Sequence, residues 1–252
     1  METIEIERSG AVAWVWLNRP RWLNAIGDTM LAELEDAFRG LGRDEAVRAV
    51  VVAGRGPAFS AGFDIAWMEG KGLQAIAEGL AGVESVYDVI EACSKPVIAA
   101  LHGVVMGGGL LLALVCDRRL ATEGTSVGAP EVKIGIFPNL RFVPRLVRVV
   151  GEGAARQIVL SGEPVDAAAA LRMGLVEQVV PVGELHGRAQ ALAGQLADLP
   201  GYAVQAAKAA FAAARRRDFA EWERAEFAMC WNRPERKVAM QAFLQSRIED
   251  ER

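Results

Sequence analysis

Two glycine-rich segments hold the residues best placed to do chemistry: Ala58-Phe59-Ser60-Ala61-Gly62-Phe63-Asp64-Ile65 and His102-Gly103-Val104-Val105-Met106-Gly107-Gly108-Gly109. Each follows an apolar stretch that reads as a buried strand, and α/β proteins bind ligands beyond the carboxyl ends of such strands. Neither has the G-x-G-x-x-G spacing of a dinucleotide-binding turn, and no Gly-Lys-Ser/Thr follows to make a phosphate loop. Around Ser60 the sequence Ala58-Phe59-Ser60-Ala61-Gly62 lacks the first glycine of a nucleophile elbow, and neither His102 nor His186 completes a triad pattern. Tight turns and close packing are one use for these glycines. Three in a row at a helix start nevertheless cost roughly 1 kcal/mol each against alanine. The other use is to bare two backbone N–H groups, one from each segment and one at a helix N-terminus, toward a developing oxyanion. Such a pair suits thioester chemistry, in which an enolate forms beside sulfur.

The elements that must carry these segments follow from periodicity and punctuation. Ile4–Arg8 and Val12–Leu17 read as strands joined at Ser9-Gly10, and Asn18-Arg19-Pro20 ends the second. Asp28 is the expected cap of a helix with Leu31, Leu34, Phe38 and Leu41 on one face. Val47–Ala53 and Pro96–Leu101 read as buried strands, Gly107–Cys116 as the helix opened by the triple glycine, and Arg118–Ala121 as extended. A glycine-interrupted helical stretch covers Gly70–Ala92. This alternation implies βαβ crossovers and a mainly parallel sheet. From about residue 139 the pattern becomes helical: Arg141–Val150, Glu152–Leu160, Ala167–Met173, a short strand Val176–Val180, then Gly183–Leu199, Tyr202–Arg216, Phe219–Cys230 and Pro234–Ile248. With no internal repeat and no long polar linker, residues 1–190 read as an α/β core and 191–252 as a helical extension of the same unit.

Composition narrows the function classes. The 252 residues carry 28 Lys+Arg against 32 Asp+Glu, a net charge of −4, which argues against a nucleic-acid surface despite the local run Arg215-Arg216-Arg217. A hydrophobic share of 52% excludes a disordered chain. The longest apolar run, Gly103–Val115, is too short for a membrane span. The charged start METIEIERSG does not read as a signal peptide, so a cytoplasmic protein is expected. Cys93, Cys116 and Cys230 lie far apart without metal spacing, and two histidines are too few for a histidine-rich site.

Taken in order, the motifs resemble those of the crotonase, or enoyl-CoA hydratase/isomerase, superfamily. Leu17-Asn18-Arg19-Pro20 with Asn24-Ala25, followed by Phe59-Ser60-Ala61-Gly62-Phe63-Asp64-Ile65, is similar to the first signature. Lys95-Pro96-Val97-Ile98-Ala99-Ala100 with Gly103 and the triple glycine is similar to the second. Gly128-Ala129-Pro130-Glu131 with Gly135, then Asp166-Ala167 and Met173-Gly174-Leu175-Val176, complete the series across nearly the whole chain.

The resemblance implies an α/β fold, a spiral of ββα units with C-terminal helices that form a trimer or a dimer of trimers. It places an oxyanion hole on the backbone N–H groups of Phe63 and Gly108, and an acyl-CoA along Arg21, Leu23, Ala25, Ala61, Asp64, Ile65 and Gly107, with coenzyme A as part of the substrate and no separate cofactor. Arg21 meets a phosphate in one reading and is a solvated loop charge in the other. Glu131 becomes the acid/base. A carboxylate among Val127, Val132, Ile134 and Ile136 would have its pKa raised toward neutrality, whereas its other reading is a surface turn. Trp67, Met68, Leu111, Phe137 and Asn139 are acyl-pocket candidates, although Trp67 and Met68 also suit a core and Asn139 a helix cap. The family's second glutamate would fall at Leu111. One base with an oxyanion hole suffices to move a double bond, so isomerisation is expected ahead of hydration. Hydration, other enolate chemistry on an acyl-CoA (decarboxylation, dehalogenation or C–C cleavage) and non-catalytic acyl-CoA binding are the alternatives.

Overall fold

The computed structural model describes residues 1–65 and 86–213. Strands β1 (Ile4–Ser9) and β2 (Val12–Leu17) form a hairpin in register Ile4↔Leu17 to Ser9↔Val12. That register makes the turn Gly10-Ala11, with Gly10 at φ +61°, one residue later than the expected Ser9-Gly10. Strands β3 (Ala49–Gly54), β4 (Val97–Leu101), β6 (Arg118–Thr122) and β9 (Gln178–Val180) continue one six-stranded sheet in the order β1-β2-β3-β4-β6-β9, parallel after the first pair. A second sheet holds β5 (Val104–Met106), β7 (Ser126–Gly128) and β8 (Val165–Asp166) in the order β5-β7-β8. The chain steps from large sheet to small sheet to helix through β4, β5 and α2 (Gly108–Val115), and passes again from β6 to β7. This is the expected spiral of ββα units.

Strand alternation assigns the core. Ala13, Val15 and Leu17 share one face of the large sheet with Val50, Val52, Val97, Ala99 and Leu101, packed with α1 (Asp28–Arg43), α2 and α3 (Phe142–Ser161). Trp14 and Trp16 share the other face with Val51, Ala53, Ile98 and Ala100. Helix α5 (Leu185–Asp198) covers that face with Leu185, Ala189, Ala193 and Ala197, whose four-residue spacing lines one side of a helix with small groups and lets it lie close. Burial on both faces is why the central strands read as unbroken apolar runs.

Helix boundaries follow backbone chemistry more closely than side-chain pattern. Leu31, Leu34, Phe38 and Leu41 are buried as expected, but the cap of α1 is Gly27, and Asp28 sits in the first turn, where its charge still opposes the helix dipole favourably. The two helices expected after residue 140 are both present within α3, one on each side of Gly151, whose φ of 76° and ψ of 164° are non-helical and break the span. Helix α4 (Ala167–Arg172) follows the sequence reading to within one residue, and α6 (Gly201–Ala213) starts one residue before the expected Tyr202, its expected end at Arg216 lying outside the described residues. The side chain of Asp166 caps α4 by accepting from Ala169 N at 2.7 Å. The expected helices at 219–230 and 234–248, most of 70–92, Cys230 and the run at 215–217 lie wholly or largely outside the described residues. No helix among the described residues is long and apolar enough to cross a membrane.

Candidate active site

The two glycine-rich segments lie side by side. Phe59 N donates to His102 O (2.9 Å), Ser60 N to Val104 O (3.1 Å) and Met106 N to Ser60 O (3.0 Å), so the first segment runs parallel to β5 like an extra strand. Gly62 and Phe63 thereby arrive beside Gly107 and Gly108. Each member of the triple glycine meets a different neighbour. A methyl group on Gly107 would lie 2.8 Å from Glu131 Oε1, one on Gly108 2.8 Å from the Phe63 ring, and one on Gly109 2.6 Å from Ser60 O. Three close approaches account for a run that helix propensity disfavours.

Direction follows from the trans peptide. Gly107 O accepts from Leu111 N at 2.9 Å and so points along α2. The N–H of Gly108 is antiparallel to that carbonyl and aims out of the helix N-terminus, where it has no intrahelical acceptor. Every residue of α2 is buried, which keeps water from screening the helix dipole at this end.

Glu131 reaches the triple glycine at Gly107. Its backbone lies in a 3-10 turn, Pro130–Ile134, opened by proline and closed at Gly135 with φ 76°. The carboxylate turns inward: Oε1 is against Gly107, and Oε2 is buried with no hydrogen-bond partner among the described residues. Burial pushes its pKa above the ordinary carboxylate range, opposed only by a backbone hydrogen bond. The expected apolar surroundings are only partly present. Val127 is fully buried, but Val132, Ile134 and Ile136 are exposed, the last two at 54% and 46%, because the tight turn throws its other side chains outward.

The loop 19–26 braces this constellation. Leu23 and Asn24 adopt left-handed conformations (φ 48° and 55°), which turn the chain so that Leu23 O accepts from Ala61 N and Ile26 O from Asp64 N, both at 2.9 Å. The N–H groups of Ala61 and Asp64 are therefore spent inside the protein. Arg19 binds Ala25 O at 2.6 Å and the Asp64 carboxylate at 3.4 Å. Arg21 and Ile65 are exposed, and Ala25 is half-buried. Trp67 and Met68 lie outside the described residues. Buried Asn24 ties the loop together: its Oδ1 accepts from Arg19 N, and its Nδ2 donates to Arg55 O and Ala58 O. Asn24→Ala strands these groups and should destabilise the fold by roughly 2–3 kcal/mol in urea unfolding. A loss below about 0.5 kcal/mol would show that water replaces the amide.

Ser60 is not poised as a nucleophile. Its buried hydroxyl donates to Asn24 O at 2.8 Å and accepts from Gly62 N at 3.2 Å, which holds the turn before Phe63. Leu111, where the family's second glutamate would stand, is 1% exposed in the main core. Phe137 is 73% exposed. Asn139 does not cap α3 with its side chain. Arg141 is the cap, at φ 55°, and Asn139 contributes its backbone oxygen to Phe142 N. The Arg141 guanidinium pairs with Asp88. Two residues the sequence reading did not single out touch the constellation, Arg19 through Asp64 and Tyr87 through Gly108. The signature tetrapeptide contains Arg19, whereas no local pattern marks Tyr87. The buried thiols Cys93 and Cys116 have raised pKa values, Cys116 about 12, and no group of three potential metal ligands occurs among the described residues.

An α/β spiral with glycine loops and a buried carboxylate converging at a helix N-terminus defines a class, and comparison with known proteins agrees with it. The family model for enoyl-CoA hydratase/isomerase matches residues 7–250. A crotonyl-CoA hydratase of Syntrophomonas wolfei is 36% identical over 250 residues, 98% of this chain and 96% of its own. A short-chain-enoyl-CoA hydratase of Clostridium acetobutylicum is 34% identical over 252 residues, covering 98% and 96%. The crystal structure of an enoyl-CoA hydratase from Bacillus anthracis superposes with a TM-score of 0.92 at 29% identity, covering 97% of this chain and 96% of that one. The chain belongs to the enoyl-CoA hydratase/isomerase family. It is an enzyme of the acyl-CoA type that family comprises.

Proposed function

We propose that the protein moves the double bond of an enoyl-CoA thioester through an enolate, with Glu131 as the single acid/base and the N–H groups of Phe63 and Gly108 as the oxyanion donors. The observation that carries this reading is the Glu131 carboxylate, its Oε2 buried and without a hydrogen-bond partner among the described residues, lying against the helix N-terminus that presents Gly108. A 3-enoyl thioester loses a proton from C2 to Glu131. Charge passes to the thioester oxygen, where the two N–H groups and the helix dipole receive it. Glu131 then returns the proton to C4, and the conjugated 2-enoyl thioester leaves with no change in mass. The route needs no separate cofactor. Arg21, Leu23, Ala25, Ala61, Asp64, Ile65 and Gly107 are the residues proposed to bind the acyl-CoA, Arg21 at a phosphate, and Trp67, Met68, Leu111, Phe137 and Asn139 those proposed for the acyl pocket. The assembly proposed is a homotrimer or a dimer of trimers.

Hydration is the second reading, favoured by the hydratases among its relatives. Against it stands Leu111, which offers no second carboxylate to hold the water. Incubation with a 3-enoyl-CoA in D2O, followed by mass spectrometry and absorbance of the conjugated thioester, separates the readings. The expected product is conjugated and carries deuterium at most at the exchanged carbons. A product heavier by one water from a 2-enoyl-CoA would establish hydration instead. An unchanged thioester that is nonetheless bound would point to another acyl substrate or to non-catalytic acyl-CoA binding.

A further inference from the structure

We infer that Tyr87 is a positioning residue for the oxyanion pair, fixing Phe63 and Gly108 relative to each other; this rests on reading those two residues as the oxyanion donors. Tyr87 is 1% exposed, and its hydroxyl donates to Gly108 O at 3.1 Å. Its ring meets the Phe63 ring edge-on, centroids 6.4 Å apart at 88°. The Phe63 ring in turn lies directly against Gly108. These three contacts close a triangle that includes both donors, one from each glycine segment.

The triangle is anchored outside the site. Tyr87 belongs to the helical residues 86–91, whose Asp88 and Glu91 bind Arg145, a fully buried guanidinium of α3, at 2.7 and 2.8 Å. Arg141 and Arg148 add ion pairs to the same two carboxylates. A tyrosine on so firmly held a support does not follow the loops; the loops are held by it. Burial also pushes the phenol pKa up, so the hydroxyl remains a donor throughout the working pH range. A small rotation of the first turn of α2 would aim Gly108 N–H away from the oxygen it must meet, and oxyanion stabilisation depends steeply on that geometry.

Tyr87→Phe removes the hydroxyl and keeps the ring. For isomerisation of a 3-enoyl-CoA, kcat is expected to fall about tenfold with KM within about twofold, a split that marks an interaction made in the transition state. The second readout is the infrared stretch of the thioester carbonyl of bound butyryl-CoA, carbon-13 labelled at C1. Wild type should show a red shift from polarisation by the two N–H groups, and the variant a smaller one. Tyr87→Leu, which also removes the ring, should reduce both further. An unaltered red shift and kcat in Tyr87→Phe, with only a lower melting temperature, would overturn the positioning role while leaving the oxyanion reading intact. A wild-type spectrum without a red shift would overturn the oxyanion reading, and the role of Tyr87 with it.

Discussion

Glu131→Gln should reduce double-bond transfer on a 3-enoyl-CoA by at least about 10²–10⁴-fold, the range supplied by a positioned general base, while acyl-CoA affinity stays within about twofold. Glutamine has the same shape and cannot take the proton. The folded state gives an internal control. Because burial raises the Glu131 pKa, the native protein holds this proton more tightly than the unfolded chain does. Stability therefore falls as pH rises from the ordinary carboxylate pKa to the raised one, and remains lower above it. The amide carries no such penalty, so Glu131→Gln should melt above wild type at neutral pH, with the gap closing in acid. Activity has the opposite requirement: the base must be ionised. Wild-type kcat/KM should drop on the acid side with a midpoint above the usual carboxylate range, and the residual activity of the variant should lack that limb. An inactive variant at least as stable as wild type assigns the loss to chemistry. Full activity would remove Glu131 from the mechanism.

The parts of this fold that were legible in the sequence are those in which one physical signal dominates. Strands β2, β3 and β4 are buried on both faces, so their apolar runs announce them, and α1 shows its inward face through Leu31, Leu34, Phe38 and Leu41. The small sheet was not legible. Its strands β5, β7 and β8 have two or three residues each and are embedded in glycine and proline, where alternation has no length in which to develop. Glu131 illustrates the same limit at the site. The order of motifs marks the residue, but the direction of its side chain depends on a 3-10 turn closed at Gly135, and the neighbouring Ile134 and Ile136 turn the other way. Asn139 looks like a cap by residue type. Left-handed backbone at Leu140 and Arg141 reverses the chain before the helix and passes that place to Arg141. Tyr87 has no sequence mark at all, since its importance lies in two contacts with segments 24 and 21 residues away.

Gly62→Ala should reduce kcat/KM by about 10²–10³-fold, the loss expected when one oxyanion donor is removed, although Gly62 is neither donor nor base. Its φ of +97° already excludes a side chain without strain, at a cost of about 1–3 kcal/mol. Space excludes it as well: the added methyl would lie 2.7 Å from Met106 O and 3.3 Å from Gly108 N. These are backbone atoms, and no rotamer change can withdraw them. The hydrogen bonds between Ser60 and residues 104 and 106 hold the two segments at this spacing, so relief comes only by spreading them. Spreading separates Phe63 N–H from Gly108 N–H, the two donors proposed for the oxyanion, which could then reach one but not both. Gly10→Ala is the matched control. Gly10 also has positive φ, +61°, but nothing among the described residues lies within 4 Å of the added methyl, and the hairpin turn it occupies is not part of the site. It should lose about 1 kcal/mol of stability with kcat unchanged. Measured where both variants are fully folded, Gly62→Ala should be impaired out of proportion to its lower melting temperature. Wild-type kcat in folded Gly62→Ala would show that the spacing of the two glycine segments does not set the rate.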